Sequence, residues 1–235
     1  MSDLATARAA EAAALLEVES LRFVAEAMRF GPLSLRLVPG EQATLLLTAT
    51  VQRPPLLQAV LGLIPIEGGR VLLDGADLLD RSDGDRLVLR RSVGYMPLHG
   101  ALLANLGLDA NMALLARHHL DLHGGALAQR MQELSDLLEL PTLTGKRLPE
   151  ASLELQRRVA LGRVLATRPR LLLLDDPTVG LGARRAAEFW GIIGRVRAEW
   201  GTAVVAIAST ALPQGLSTVD LALPGTALSA AQERA

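Results

Sequence analysis

Residues 168–182 read Arg168-Pro169-Arg170-Leu171-Leu172-Leu173-Leu174-Asp175-Asp176-Pro177-Thr178-Val179-Gly180-Leu181-Gly182, and this stretch decides the fold. Leu171 to Leu174 form an apolar run without polar alternation, the pattern of a strand buried on both faces of a parallel sheet. The run ends in two carboxylates, and Pro177 has no N–H with which to continue a ladder. Ligands of open α/β sheets bind beyond the carboxyl ends of the strands. Asp175 and Asp176 are therefore candidates to hold a metal ion or orient a water molecule. The competing explanation is a strand end that cannot bury charge.

Outward from this strand, helices and strands alternate. Leu155–Thr167 reads as a basic amphipathic helix leading into it, Ala183–Trp200 as a long helix after it, and Ala203–Ala208 as the last buried strand. Upstream, 18–23 and 33–38 read as short strands, Pro39-Gly40 as a turn, and Gln42–Thr48 as another buried strand. A loop through Pro54-Pro55 then leads into a helix over Leu56–Leu63, with proline tolerated in the first turn. Gly68–Leu78 is a strand closed by an Asp74-Gly75 turn, and Val93–Leu98 a further strand. From Leu102 to Leu148 the period turns helical, with helices Asn111–Leu122 and Ala126–Leu140, a break at Gly124-Gly125 and a stop at Pro141. Residues 1 to about 16 read as an Ala-rich helical tail. The alternation predicts a mostly parallel, doubly wound sheet with a helical insert.

Composition closes off several functions. With 235 residues the chain is long enough for a sizeable core. The net charge of −1 and the lack of a basic block argue against nucleic-acid binding, and 3% aromatic residues against a base-stacking platform. There is no cysteine, hence no disulfide or thiolate metal site. No apolar run approaches the ~20 residues needed to cross a bilayer, and the start lacks the basic region of a secretory signal. The expectation is a soluble chain, or one held at a membrane by a partner. The only lysine is Lys146, and all four histidines (His99, His118, His119, His123) lie in one short region. His119 and His123 have the spacing of two ligands on one helical face, but an exposed helix end explains them better. Arg157, Arg158 and Arg163 read as a solvated helix face, or as charge complementing a neighbour.

Taken together, these segments resemble the nucleotide-binding subunit of ABC transporters over roughly residues 16 to 225. The supporting residues are Pro39-Gly40-Glu41, Gly69-Arg70-Val71-Leu72-Leu73-Asp74-Gly75, Arg158-Val159-Ala160-Leu161 with Arg163, and Leu171 to Leu181. The resemblance implies a P-loop NTPase-like α/β fold with a mostly parallel sheet, an antiparallel β subdomain and a helical subdomain. It divides the chain into tails at 1–16 and 226–235, a core of 17–97 and 151–225, and a helical subdomain at 98–150. The wording Gly100–Met112 looks like the ATPases of bacterial Mla/MCE-type lipid-transport systems.

The same resemblance exposes departures. A phosphate loop needs glycines that let backbone N–H groups curl around an anion, a lysine, and a hydroxyl for Mg²⁺. Here Leu47 and Gln52 fall on the glycine positions, Arg53 on the lysine, and Pro54 and Pro55 on the hydroxyls. Each proline removes a donor. The signature loop falls on Ser152-Leu153-Glu154-Leu155, keeping only the serine, with Glu154 placed to repel a γ-phosphate. Leu98 replaces the glutamine that meets metal and water, Ser209 the switch histidine, and Gly182 the D-loop aspartate. The adenine-stacking aromatic is expected near Ala25, where only Phe23 is close. Asp175 matches the metal-binding acid and Asp176 replaces the catalytic glutamate. Leu47, Pro54, Pro55 and Leu98 are expected to collapse into core around the vacated site.

The leading expectation is a catalytically inactive subunit, with no cofactor of its own, that pairs with an active ATPase subunit and a membrane permease, peripheral to the inner membrane on its cytoplasmic side. ATP and Mg²⁺ enter only if a partner subunit holds them, with Ser152 completing the partner's site, or if the chain is itself an active ATPase using Asp175 and Asp176. The third possibility is a stand-alone regulatory or apolar-ligand-binding module.

Overall fold

A computed structural model describes residues 13–25, 28–46, 55–209 and 218–220, with the backbone alone at Met28 and over 218–220. Residues 1–12 of the expected 1–16 tail, the 226–235 tail, and Leu47, Gln52, Arg53 and Pro54 of the phosphate-loop region lie outside these residues. Residues 13–16 are not helical, since Leu16 already opens a strand paired with Leu37.

Among the described residues nine strands form two sheets. β1 (Leu16–Ala25), β2 (Met28–Leu37), β4 (Gly68–Leu73) and β5 (Ala76–Asp77) make an antiparallel sheet in the order β2-β1-β4-β5. β3 (Gln42–Leu46), β6 (Val93–Met96), β7 (Leu171–Asp175), β8 (Ala203–Ala208) and β9 (Thr218–Asp220) make a second sheet in the order β6-β7-β8-β3-β9. Every pairing in the second sheet is parallel. β7 is flanked on both sides, with Leu172 opposite Gly94 and Val204.

The apolar run explains why β7 sits there. Leu171 and Leu173 point into one core, shared with Phe23, Leu45 and Leu57, while Leu172 and Leu174 point into the other, shared with Met112, Val159 and Ile193. All four are at most 2% exposed. Burial of each such leucine contributes roughly 1.5–3 kcal/mol. A strand with only one apolar face would leave one of these cores without its floor. The first core lies between the parallel sheet and the antiparallel sheet, together with helix α1 (Leu56–Val60). The second holds the helices α3 (Leu108–Leu120), α4 (Gly124–Leu137), α5 (Leu153–Leu165) and α6 (Ala183–Trp200). Gly162 lets α5 come close to α3, since a Cβ there would lie 2.9 Å from Met112 Sδ.

Several boundaries differ from the sequence pattern, each for a local reason. Helix α1 stops at Val60 because Gly62 turns left-handed (φ 61). Helix α2 (Asp83–Arg90) was not expected. Ser82 caps it by accepting a hydrogen bond from the Asp85 amide and donating one to the Asp85 carboxylate. Helix α3 ends at Leu120, where Asp121 takes the left-handed C-cap, and Gly124 opens α4 rather than breaking a helix. His119 and His123 consequently share no helical face: His119 is in the last turn of α3, whereas His123 caps α4 and contacts Asp121 Oδ1 at 2.9 Å. Among the described residues no group of three or more metal-ligating side chains occurs.

The largest difference concerns α5. It is not an amphipathic helix with a solvated basic face: Arg157, Arg158 and Arg163 are 1%, 7% and 8% exposed. Arg158 and Arg163 are instead committed to internal acceptors, and Arg157 reaches His99 and the Val179 carbonyl through Nη2 alone.

Candidate active site at the carboxyl ends of the parallel strands

The ends of β6, β7 and β8 bring together Tyr95, Asp175, Asp176 and Ser209, with α1 and the 3₁₀ turn Leu98–Ala101 beside them. Asp175 is the last residue of β7 and is half-buried. Its charge, second to burial, pushes the Tyr95 hydroxyl above its ordinary pKa, while a hydrogen bond with Gln58 of α1 acts in the opposite sense. The acid expected to hold a metal thus acts on the Tyr95 phenol, which Gln58 bonds in turn.

Asp176 is fully buried and adopts φ 47. Its amide donates to the Ile207 carbonyl at 2.8 Å, so the chain is still pinned to β8 one residue beyond the strand. Ser209, just past β8, donates its hydroxyl to Asp176 Oδ2. The two positions expected to carry the water-activating acid and the switch residue are therefore in direct contact.

The turn that follows Asp176 packs on the beginning of α5. Val179 N donates to Asp176 O at 3.2 Å and Leu181 N to Thr178 O at 3.0 Å. Gly180 takes the left-handed φ of 80 that favours glycine, and a Cβ there would displace the Leu153 side chain, whose Cδ2 would lie 2.9 Å away. Ser152 caps α5, its hydroxyl accepting from the Leu155 amide at 3.2 Å. Glu154 turns inward: its carboxylate meets Arg158 at 2.9 Å and Arg185 at 3.1 Å. Arg158 also reaches Glu139 and Glu188 and donates to the Leu138 carbonyl. The carboxylate expected to repel a phosphate is thereby neutralised within the chain.

The 3₁₀ turn at the start of the helical region is held from below. Arg163 donates to the carbonyls of Gly100 and Ala101, and burial lowers its pKa. Gly100 (φ 77) permits the contact, because a Cβ would come 2.6 Å from Ala160 Cβ. Leu98 is half-buried at the head of this turn. Pro55, the described member of the proline pair, is half-buried and precedes α1 without a side-chain cap. Phe23 is 1% exposed with its ring stacked on Phe30 at 5.1 Å, which removes it as an adenine platform.

Sequence reasoning missed Tyr95 and the structural arginines. Tyr95 stands in the middle of a predicted strand, where an aromatic residue signals only β propensity. The arginines had a signal, in that apolar residues surround them on every side of the helix at Val159–Leu161 and Gly162–Leu165.

A parallel sheet with acids at its carboxyl edge, an antiparallel sheet on one face and a helical insert define the class of ATP-binding cassette domains. The chain belongs to the ABC transporter family, whose profile matches residues 53–179. It is 32% identical over 176 residues to the Fe(3+) ions import ATP-binding protein FbpC of Pseudomonas fluorescens, covering 74% of this chain and 48% of that protein. It is 32% identical over 173 residues to the zinc import ATP-binding protein ZnuC of Halorhodospira halophila, covering 74% and 59%. The methionine import ATP-binding protein MetN of Rhizobium johnstonii is 28% identical over 211 residues, covering 86% and 57%. The chain thus spans about half the length of the curated relatives it matches. Among solved structures, cbiO1 from Clostridium perfringens superposes with a TM-score of 0.73 at 22% identity, covering 84% of this chain and 79% of that one. The ATP-binding cassette MJ0796 in its dimer bound to ADP and phosphate gives 0.71 at 20% identity, covering 83% and 88%. At those identities the likeness concerns the fold. Among the described residues no helix is long and apolar enough to cross a membrane.

Proposed function

We propose that this chain is an ABC transporter ATP-binding subunit that has given up hydrolysis and serves as the silent half of a pair. In this reading it sits on the cytoplasmic face of a membrane against a permease, beside a second, intact ATPase subunit. The observation that carries the reading is the state of Asp176. The acid at the water-activating position is fully buried and bonded by Ser209, the residue at the switch position. A general base must reach the water it deprotonates, and this carboxylate is turned away from solvent. The surrounding chemistry supports the reading. Pro55 brings neither N–H nor hydroxyl to the head of α1, Leu98 brings no amide, and Ser152 is engaged as a helix cap. With Leu47, Gln52, Arg53 and Pro54 in the phosphate loop, this donor set does not fit a magnesium-bound triphosphate.

Residues 98–150 act in this reading as the helical subdomain that meets the permease. The curated relatives are named for import of metal ions and methionine, and import of a small solute is the direction we favour. The lipid-transport alternative rests on the wording of Gly100–Met112 alone.

The test is equilibrium binding of MgATP to the purified chain up to millimolar concentration, followed by co-purification from its native host. We expect no saturable binding, and recovery of a permease together with an ATPase that has an intact phosphate loop. Saturable binding with turnover abolished by Asp176→Asn would replace this reading with an active ATPase. Asp175 favours that second reading, because it lies at the strand end, half-exposed, where a metal could be met.

A further inference from the structure

A groove of about 300 Å³ opens between α3, α4 and the segment 140–144. Met112, Met131 and Leu140 give it an apolar wall, while Asp109 in the first turn of α3 and Asp136 near the end of α4 each bring a carboxylate. The backbone fixes its walls. Leu140 N donates to Ser135 O at 2.9 Å, Lys146 N to Leu143 O at 3.0 Å, and Leu108 N to Lys146 O at 3.0 Å. The groove is thus preformed, at the small end of ligand-binding cavities. Among the described residues no cationic side chain lines it. Neighbouring acids are compensated: Glu133 meets Arg130 and Arg168, and Glu139 meets Arg158 and Arg195. Asp136 instead accepts a neutral amide hydrogen bond from Gln132 at 2.8 Å and, like Asp109, forms no ion pair among the described residues.

We infer that this groove binds a small alkyl diamine, with its ammonium groups on Asp109 and Asp136 and its methylene chain along Met112, Met131 and Leu140. Two uncompensated carboxylates beside one cavity call for positive charge, and an ammonium brings N–H donors that make charge-assisted hydrogen bonds to them. Thr142 and Thr144, both exposed at the groove, add hydroxyl oxygens that accept the remaining ammonium hydrogens. The apolar wall decides between cations. A hard, hydrated divalent ion seeks oxygen ligands and gains nothing from thioethers. A flexible methylene chain buries apolar surface against unbranched, polarizable methionines. Both carboxylates are exposed, so the contacts are screened and binding weakens as salt rises. A diamine spanning Asp109 and Asp136 ties α3 to α4. This site goes beyond the reading of a non-hydrolysing subunit and depends on neither nucleotide nor a partner chain.

The experiment is an NMR titration of the full chain with putrescine at low ionic strength, with pentanol and magnesium chloride as controls. Saturable amide shifts are expected at 109–112, 131–136 and 140–144, with the β7 amides unmoved, and neither control should reproduce them. Asp109→Asn and Asp136→Asn should each weaken putrescine about fivefold, and the double variant should abolish saturation. Thr142→Lys sets a rival ammonium in the groove and should weaken putrescine as well. All three positions are exposed, so these variants keep the fold, which the spectrum of the unligated chain checks directly. No saturable shift in the groove up to millimolar putrescine, an equal response to magnesium chloride or pentanol, or undiminished binding in the double aspartate variant would each overturn the assignment.

Discussion

Ser209 gives its hydroxyl hydrogen to the carboxylate of Asp176, joining the segment beyond β8 to the segment beyond β7. The bond matters because Asp176 has no solvent exposure with which to replace a lost donor. Neighbouring strand ends in a parallel sheet are usually separate loops. Here they are tied by a side chain in addition to the amide bond from Asp176 to Ile207.

Ser209→Ala should destabilise the chain by about 1–3 kcal/mol, the cost of leaving a buried charged acceptor short of a donor. Chemical denaturation checks this, with the m-value expected to stay constant. A change below about 0.3 kcal/mol would show that water replaces the hydroxyl.

Tyr95 is the only tyrosine in the chain, so tyrosinate absorbance reports on this site alone. Burial first, and Asp175 second, should make it titrate above the ordinary 10.0. A raised folded pKa means that the folded chain holds its proton longer than the unfolded one. The stabilising contribution is complete below about pH 10 and is lost as pH rises through the folded value. Asp175→Asn should bring the titration back toward 10, and Gln58→Leu should move it further up. An unchanged titration in Asp175→Asn would separate the two residues.

Arg163→Met keeps much of the stem but strips the donors from the Gly100 and Ala101 carbonyls. We expect a loss of about 2–4 kcal/mol from the two orphaned acceptors and new protease cleavage near 98–106. Intact protection of that segment would show that Gly100 packing alone holds it.

Glu139 is held below the usual carboxylate range, first by the hydrogen bond from Arg195 and then by Arg158. Its contribution is present above its unfolded pKa and is lost as pH falls through the lower folded one. Arg195→Ala should raise the Glu139 pKa in an NMR titration, while changing stability by no more than a few tenths of a kcal/mol, since the pair is exposed.

The fold was legible where pattern and burial coincide. Leu171–Leu174 and Ala203–Ala208 are apolar at every position because both faces of the parallel sheet are covered, and Ala183–Trp200 is helical over the expected span. Helix α2 went unread because Asp83, Gly84 and Asp85 look like a loop, and the cap at Ser82 was the signal passed over. Of the candidate site, Asp175, Asp176 and Ser209 could be found from the family framework. That framework could not tell which of them face solvent. The burial of the arginines is hidden because charge ordinarily implies water, and the groups that Arg157 meets, His99 and Val179, are distant from it in sequence.

The sheet order has one further consequence. Gln42 of β3 pairs with Val204 of β8, so β3 waits for a strand made long after it. On the ribosome, β3 emerges long before this neighbour and must be kept from pairing elsewhere until β8 has been made. Such long-range closure slows folding and lengthens exposure of sticky edges. Closure of this sheet is thereby coupled to the synthesis of β8.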